Sequence, residues 1–217
     1  MRNRSMNKFL FLIILLLVSI NTLHAQRRLS IGQIRIGAGT NIYGLSKDLE
    51  GTVSKPKTGF QFLTDTDILR FKKIYYLRLG VGYCQTSIKV LHPVPDSRKS
   101  NIRLSGIRIP LILSRKWIIS PSSMICPFTG FSFMAVTNVK HKNKNDPSFV
   151  LTDKNFHDVE WAWHVGVRHE IHTFFVDIGF QKGLTYVATD NSKGRGNMIY
   201  MNIGLKINRG YFKKNKN

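Results

Sequence analysis

Between Ile34 and Ile207 the chain alternates apolar and polar residues with a period of two, in runs separated by polar connections. The clearest run sets Trp161, Trp163, Val165 and Val167 against Glu160, His164, Gly166 and Arg168. A strand turns successive side chains to opposite faces, so such a run is a ribbon with one apolar and one polar face. Soluble sandwiches share this period. Here, however, aromatics and large aliphatics fill one face while Arg, Glu, His and Asp fill the other, the order expected when lipid lies outside and the interior is wet. The sequence therefore predicts an all-β chain, folded as an eight-stranded antiparallel up-and-down transmembrane β-barrel.

The first 25 residues read as a cleaved signal peptide. Arg2, Arg4 and Lys8 give a basic start, Phe9 to Ile20 an apolar stretch, and Leu23-His24-Ala25 a small-residue cleavage site. Residues 26–217 then form one barrel domain. No later stretch approaches the roughly 18 apolar residues of a membrane helix, so membrane insertion has to be by strands, which predicts the outer membrane. The whole chain carries a net charge of +21. An excess of this size suggests an anionic partner. Exported proteins seldom meet nucleic acid, so lipid headgroups and lipopolysaccharide phosphates are the better candidates, with simple loop solvation as the alternative.

Eight strands are expected near 29–40, 58–67, 74–88, 101–114, 123–138, 158–169, 172–184 and 197–208. Residues 41–57, 89–100, 139–157 and 185–196 are long polar connections, and 68–73, 115–122 and 170–171 are short ones. Long loops at one end and short turns at the other are the pattern of bacterial outer-membrane barrels. With Glu170 and Ile171 as the turn, Trp161 faces Phe180, Trp163 faces Ile178, and His164 faces Asp177. Outward rows follow as Tyr75, Leu77, Leu79, Val81, Tyr83; Ile107, Ile109, Leu111, Leu113; and Ile199, Met201, Ile203, Leu205, Ile207. Pro110 cannot donate to a ladder and predicts a local bulge. The fifth strand carries Phe128, Phe131, Phe133 and Met134 on both faces, which leaves its orientation open.

Several segments together resemble the PorT-like outer-membrane β-barrel proteins of Bacteroidetes-type bacteria. They are Gly59-Phe60, the Tyr75 to Tyr83 run, Ile107-Arg-Ile-Pro-Leu111, Cys126-Pro-Phe-Thr-Gly130, Gly166-Val-Arg-His-Glu170, Asp177-Ile-Gly-Phe-Gln-Lys-Gly-Leu-Thr185 and Ile203-Gly-Leu-Lys-Ile207. The Ala25-Gln26 junction fits the same pattern. The resemblance covers nearly all of 26–217 and implies an eight-stranded barrel; some members are linked to type IX secretion and gliding. The marked basicity departs from that pattern, as does Lys213-Lys-Asn-Lys-Asn217 following Tyr211-Phe212.

Among residues that could carry chemistry, His164 and Asp177 form half of a hydrolytic triad, with no serine convincingly beside them. The competing expectation is a packed, mutually neutralising lumen network of Arg78, Arg108, Glu160, His164, Arg168 and Asp177, since eight strands enclose a space that side chains fill. His169-Glu170-Ile171-His172 lacks the helical His-Glu-x-x-His spacing of a zinc site, so no metal and no cofactor is expected. Cys84 and Cys126 lie at different depths and are expected as free, buried thiols, without a disulfide. Lys140, Lys142, Lys144, Lys154, Lys193 and Arg195 form a candidate anion-binding set in the external loops, suited to lipopolysaccharide phosphates.

The leading expectation is a non-enzymatic outer-membrane barrel with a structural or interaction role, assisting secretion or envelope assembly with protein partners there. The alternatives are a barrel-embedded hydrolase or acyltransferase and a soluble, lipocalin-like carrier. The first needs polar residues converging at the rim. The second needs the apolar rows inside.

Overall fold

The computed structural model describes residues 33–46, 53–71, 74–91, 99–143, 156–187 and 194–207. Every element among them is a strand: β1 (Ile34–Leu45), β2 (Val53–Phe71), β3 (Tyr75–Leu91), β4 (Lys99–Arg115), β5 (Trp117–Ser120), β6 (Ser123–Asn143), β7 (Val159–Ile171), β8 (Phe174–Tyr186) and β9 (Arg195–Ile207). Each pairs antiparallel with its neighbour, β1 pairs with both β2 and β9, and β4 pairs with β6, so the sheet closes on itself. Over the height that all the walls share, closure leaves no unpaired strand edge, the condition for crossing a bilayer with strands.

Nine strands make eight walls. Ser114 of β4 lies opposite Phe128, and Trp117 of β5 lies opposite Ile125. Three residues on along one side match three residues back along the other, so β5 continues the β4 ladder past Lys116. The short connections 72–74, 121–122 and 172–173 share one end of the barrel with the start of β1 and the end of β9. The longer connections lie at the other end.

The outward rows stand where the alternation puts them. Val81, Leu111, Phe131, Trp161, Ile178, Ile199 and Ile203 are exposed, and their neighbours Arg78, Arg108, Glu160, His164 and Asn202 are buried. The fifth predicted strand, now β6, sends Phe131 outward and Phe128 and Met134 inward. This arrangement is inside out for a soluble protein and requires an apolar surrounding medium.

Three expectations need correction. The β7–β8 turn is His172–Thr173, not Glu170–Ile171, and His172 has φ 51°. A left-handed residue at the first position of a two-residue loop suits the twist of the flanking strands. The hairpin register therefore moves by four residues. Because four is even, every face is kept, but the partners change: Trp163 lies opposite Lys182, His164 opposite Gln181, and Asp177 opposite Arg168.

Second, Pro110 causes no bulge. The β3–β4 register is the same on both sides of it, at Leu79 opposite Leu111 and at Gly82 opposite Arg108. Gly80 gives the ring room: a Cβ there would meet Pro110 Cγ at 3.0 Å. The irregularity in β4 falls between Ser105 and Gly106 on its ladder with β6, where Thr137 is the extra residue. Its hydroxyl donates to the Ser105 carbonyl at 3.2 Å.

Third, several strands run deep into the predicted loops. β2, β3, β4 and β6 have 19, 17, 17 and 21 residues, against 12 or 13 in β1, β7, β8 and β9. About 9–11 tilted residues span a bilayer, so these four continue as a tall wall beyond it at the long-connection end. There the alternation inverts. Ile88, Val90, Ile102 and Leu104 point inward and are buried, while Lys89 and Arg103 stand on the outward face. Such an inversion is what a sheet does on passing from lipid into water.

Candidate functional site

The lumen is filled in storeys. At the short-turn end Arg35, fully buried, donates to Glu170 at 2.9 Å, to Asp65 at 3.1 Å and to both Asp67 oxygens at 3.0 Å. Arg168 forks onto Asp177 and also donates to Asp65 at 2.7 Å. Lys206 pairs with Glu170 at 3.2 Å and Lys116 with Asp67 at 2.9 Å. Arg78 lies 4.0 Å from Asp65, with its guanidinium 5.1 Å above the Phe128 ring. The carboxylate oxygens of Asp65, Asp67, Asp177 and Glu170 all accept from these cations, as buried charges require, whereas the three guanidinium nitrogens of Arg78 are buried without a hydrogen-bond partner among the described residues.

The middle storey is polar but mostly uncharged. Gln61 donates to Asn202 at 2.8 Å and accepts from Arg108 at 3.1 Å. Arg108 also rests against the sulfurs of Met134 and Met198. His164 Nε2 lies 2.6 Å from Ser132 Oγ, and Nδ1 lies 3.5 Å from the Tyr200 hydroxyl. Above it, both carboxylate oxygens of Glu160 are buried without a hydrogen-bond partner among the described residues. The long-connection end is closed by an apolar cluster in which Ile88, Val90, Ile102 and Leu104 meet Phe156 and Val187. Backbone bonds from His157 to Val187 and from Val136 to Asp158 tie the segments carrying those two residues to the wall.

All six predicted lumen residues are therefore inside, but they do not form one neutralising network. Arg168 and Asp177 pair, and Arg78 joins them through Asp65. Arg108, Glu160 and His164 belong to the upper levels. His164 faces Gln181, not Asp177, because of the corrected register. A serine does stand beside it, Ser132, delivered from β6, a strand whose orientation the sequence left open. This pair is still poor material for a nucleophilic centre: Ser132 is 2% and His164 2% exposed, and a tyrosine hydroxyl, not a carboxylate, faces Nδ1.

Sequence reasoning missed Arg35, Asp65, Asp67, Lys116, Glu170 and Lys206, which carry most of the ion pairing. Arg35 alternates with Ile34 and Ile36, and Asp65 and Asp67 alternate with Thr64, Thr66 and Ile68, so the period-two signal was present. Glu170 was assigned to the turn, yet it is a buried acceptor. His169 sits in β7, its Nε2 2.9 Å from Ser123 Oγ, while His172 makes the turn. Among the described residues no cluster of His, Cys, Asp or Glu has a metal-binding arrangement. Cys84 and Cys126 are buried free thiols.

The cavity bordered by Arg78, Arg108, His164, Asp177 and Tyr200 measures about 30 Å³, room for one or two waters. Of the basic candidates, Lys140 and Lys142 lie on β6 and not in a loop. Arg195 opens β9 with its guanidinium 5.3 Å from the Tyr186 ring centre. Lys144, Lys154 and Lys193 lie outside the described residues.

A closed antiparallel ring, lipid-facing apolar rows and a filled polar interior define an outer-membrane β-barrel protein. No protein-family model and no curated protein matches the chain. Among solved structures it is similar to Ail, the attachment invasion locus protein of Yersinia pestis, in complex with the heparin analogue sucrose octasulfate. That match has 10% identity and a TM-score of 0.43, covering 82% of this chain and 99% of Ail. Neisserial surface protein A matches at 11% identity and a TM-score of 0.46, covering 80% and 97%. The translocator domain of the autotransporter NalP from Neisseria meningitidis matches at 8% and 0.37, covering 92% and 96%. These likenesses are weak, and the barrel assignment rests on the chain's own geometry.

Proposed function

We propose that this protein is a non-enzymatic, PorT-like barrel that works by contact, as a structural or interaction component of the cell envelope assisting protein secretion. One observation carries this reading. The interior is filled by ion pairs below and by apolar side chains above, and the cavity bordered by Arg78, Arg108, His164 and Tyr200 between them measures about 30 Å³. Among the described residues that cavity has room only for a water or two, which assigns the work to the outer surface and the two ends. The soluble-carrier alternative needs the apolar rows inside, and they are outside. Outer-membrane lipid is the immediate environment, and lipopolysaccharide phosphates are the anions that the basic outer end meets. The test is deletion in the native host, followed by proteomics of the culture fluid and crosslinking from lysines of the tall wall. Loss of secreted proteins, with envelope proteins crosslinked to the barrel, supports the role. Unchanged secretion with no crosslinked protein refutes it.

A further inference from the structure

The tall wall carries a charge pattern that the barrel itself does not use. Its outward face can be read in rows, because directly opposed residues on adjacent strands share a height. The uppermost lipid-type row is Phe62, Tyr83, Ile107 and Ala135. Next comes Phe60, Gln85, Ser105 and Asn138. The row above is Lys57, Ser87, Arg103 and Lys140, and the one beyond it is Lys55, Lys89 and Asn101. Along four adjacent strands the surface thus passes from apolar to neutral to two consecutive basic rows, with five cations and no carboxylate among their described side chains.

Two of these contacts are unfavourable in isolation. Arg103 lies directly opposite Lys140, and Lys55 directly opposite Lys89. Opposed side chains have Cβ atoms about 4.5–5.5 Å apart, so like charges there destabilise the sheet. Among the described residues no carboxylate pairs with Lys55, Lys57, Lys89, Arg103 or Lys140; Lys57 donates instead to the Asn101 side chain at 3.1 Å. A rigid wall that holds four strands of cations together without acids calls for an anion from outside.

Height identifies that anion. The first basic row lies four residues above the Tyr83 row. It lies two residues above the row of Phe60, the highest exposed aromatic of this face, and at about 3.3 Å per residue and a tilt near 40° that is about 5 Å above the aromatic edge, within the polar headgroup layer. The inward face turns apolar at the same level, at Ile88 and Leu104, which independently marks the passage from hydrocarbon to water.

We infer that the outward face of β2, β3, β4 and β6 above Tyr83 is a binding surface for the phosphate groups of lipid A in the outer leaflet. The surface is strand-borne, and Lys140 belongs to it. The inference rests on the outer-membrane reading and is independent of any secretion role.

The test uses the full chain folded into phosphatidylcholine vesicles containing bisphosphorylated lipid A, and the same vesicles with dephosphorylated lipid A. Bound lipid is counted by native mass spectrometry after extraction. Heat-modifiable gel mobility on the same samples shows independently that each variant is a folded barrel. Wild-type protein should retain bisphosphorylated lipid A, more weakly at high salt, and retain the dephosphorylated lipid far less. At roughly 1 kcal/mol per cation near a charged surface, R103Q/K140Q should weaken retention roughly 30-fold, whereas R115Q, at the opposite end, should not. In vesicles without lipid A the double variant should be at least as resistant to unfolding as wild type, since the like-charge contact is gone. Equal retention by R103Q/K140Q and wild type, indifference to dephosphorylation, or full competition by inorganic phosphate would each overturn the proposal.

Discussion

Replacing Arg168 with methionine removes the cation that ties Asp177 to Asp65. Arg168 is 1% exposed and reaches both carboxylates, donating to Asp65 at 2.7 Å and through a two-pronged fork to Asp177. Methionine fills similar space without charge, leaving Asp177 buried with no cation in contact. Breaking a buried pair by deleting one partner costs about 3–5 kcal/mol, against roughly 1 kcal/mol or less for an exposed pair. Asp177→Asn should cost less than Arg168→Met, because Arg168 keeps Asp65. The double variant should recover part of the loss, since no unpaired charge remains at position 177 and Asp65 retains Arg35 at 3.1 Å. The assay is urea unfolding in lipid vesicles, with the folded fraction read from heat-modifiable mobility. A shift of about 4 kcal/mol moves the folding equilibrium by nearly three decades. If Arg168→Met stays within 1 kcal/mol of wild type, or if the two substitutions simply add, the lower storey is not the charge-coupled unit described here.

Ile178, exposed on β8 between Val167 and Met201, tests the medium: Ile178→Arg should cost about 2–4 kcal/mol in vesicles, while near neutrality would mean that water surrounds the belt. At Gly39 an added Cβ would collide with the Met201 carbonyl, so Gly39→Ala should spread the β1–β9 closure and lower the yield of heat-resistant barrel in refolding gels. Ser132→Ala deletes a buried hydrogen bond to His164 and should cost about 0.5–1.5 kcal/mol in the same unfolding assay. The closed lumen should give no steady single-channel current in planar bilayers; a stable conductance would mean that the interior opens.

The barrel was legible because lipid outside and polar groups inside write themselves into alternate residues, as at Trp161 to Arg168. Register was less legible. Moving the β7–β8 turn from 170–171 to His172–Thr173 preserves every face, so hydrophobic pattern alone could not choose between them, and a histidine in the left-handed region gives little sequence signal. That ambiguity cost the Arg168–Asp177 pair and invented the His164–Asp177 one. Asp65 and Asp67 escaped because Thr64 and Thr66 dilute their outward row, and Arg35 because Gly37 and Gly39 dilute the polar row it belongs to. The tall wall was hidden for a different reason. Above Tyr83 the polarity inverts, so Ile88, Val90 and Leu104 read against the barrel's pattern, and the lysines beside them read as loop. Pro110 was a reasonable signal of disruption, but Gly80 across the ladder absorbed it.

The central claim is that the apolar rows face lipid. All three tryptophans, Trp117, Trp161 and Trp163, stand on the outward face, with Trp117 and Trp161 about half exposed. Fluorescence quenching in vesicles of brominated lipid, compared with acrylamide in water, tests it most directly. Strong quenching by the brominated chains with little by acrylamide is the predicted result. Efficient acrylamide quenching with no effect of bromine would put those rows in water and contradict the account.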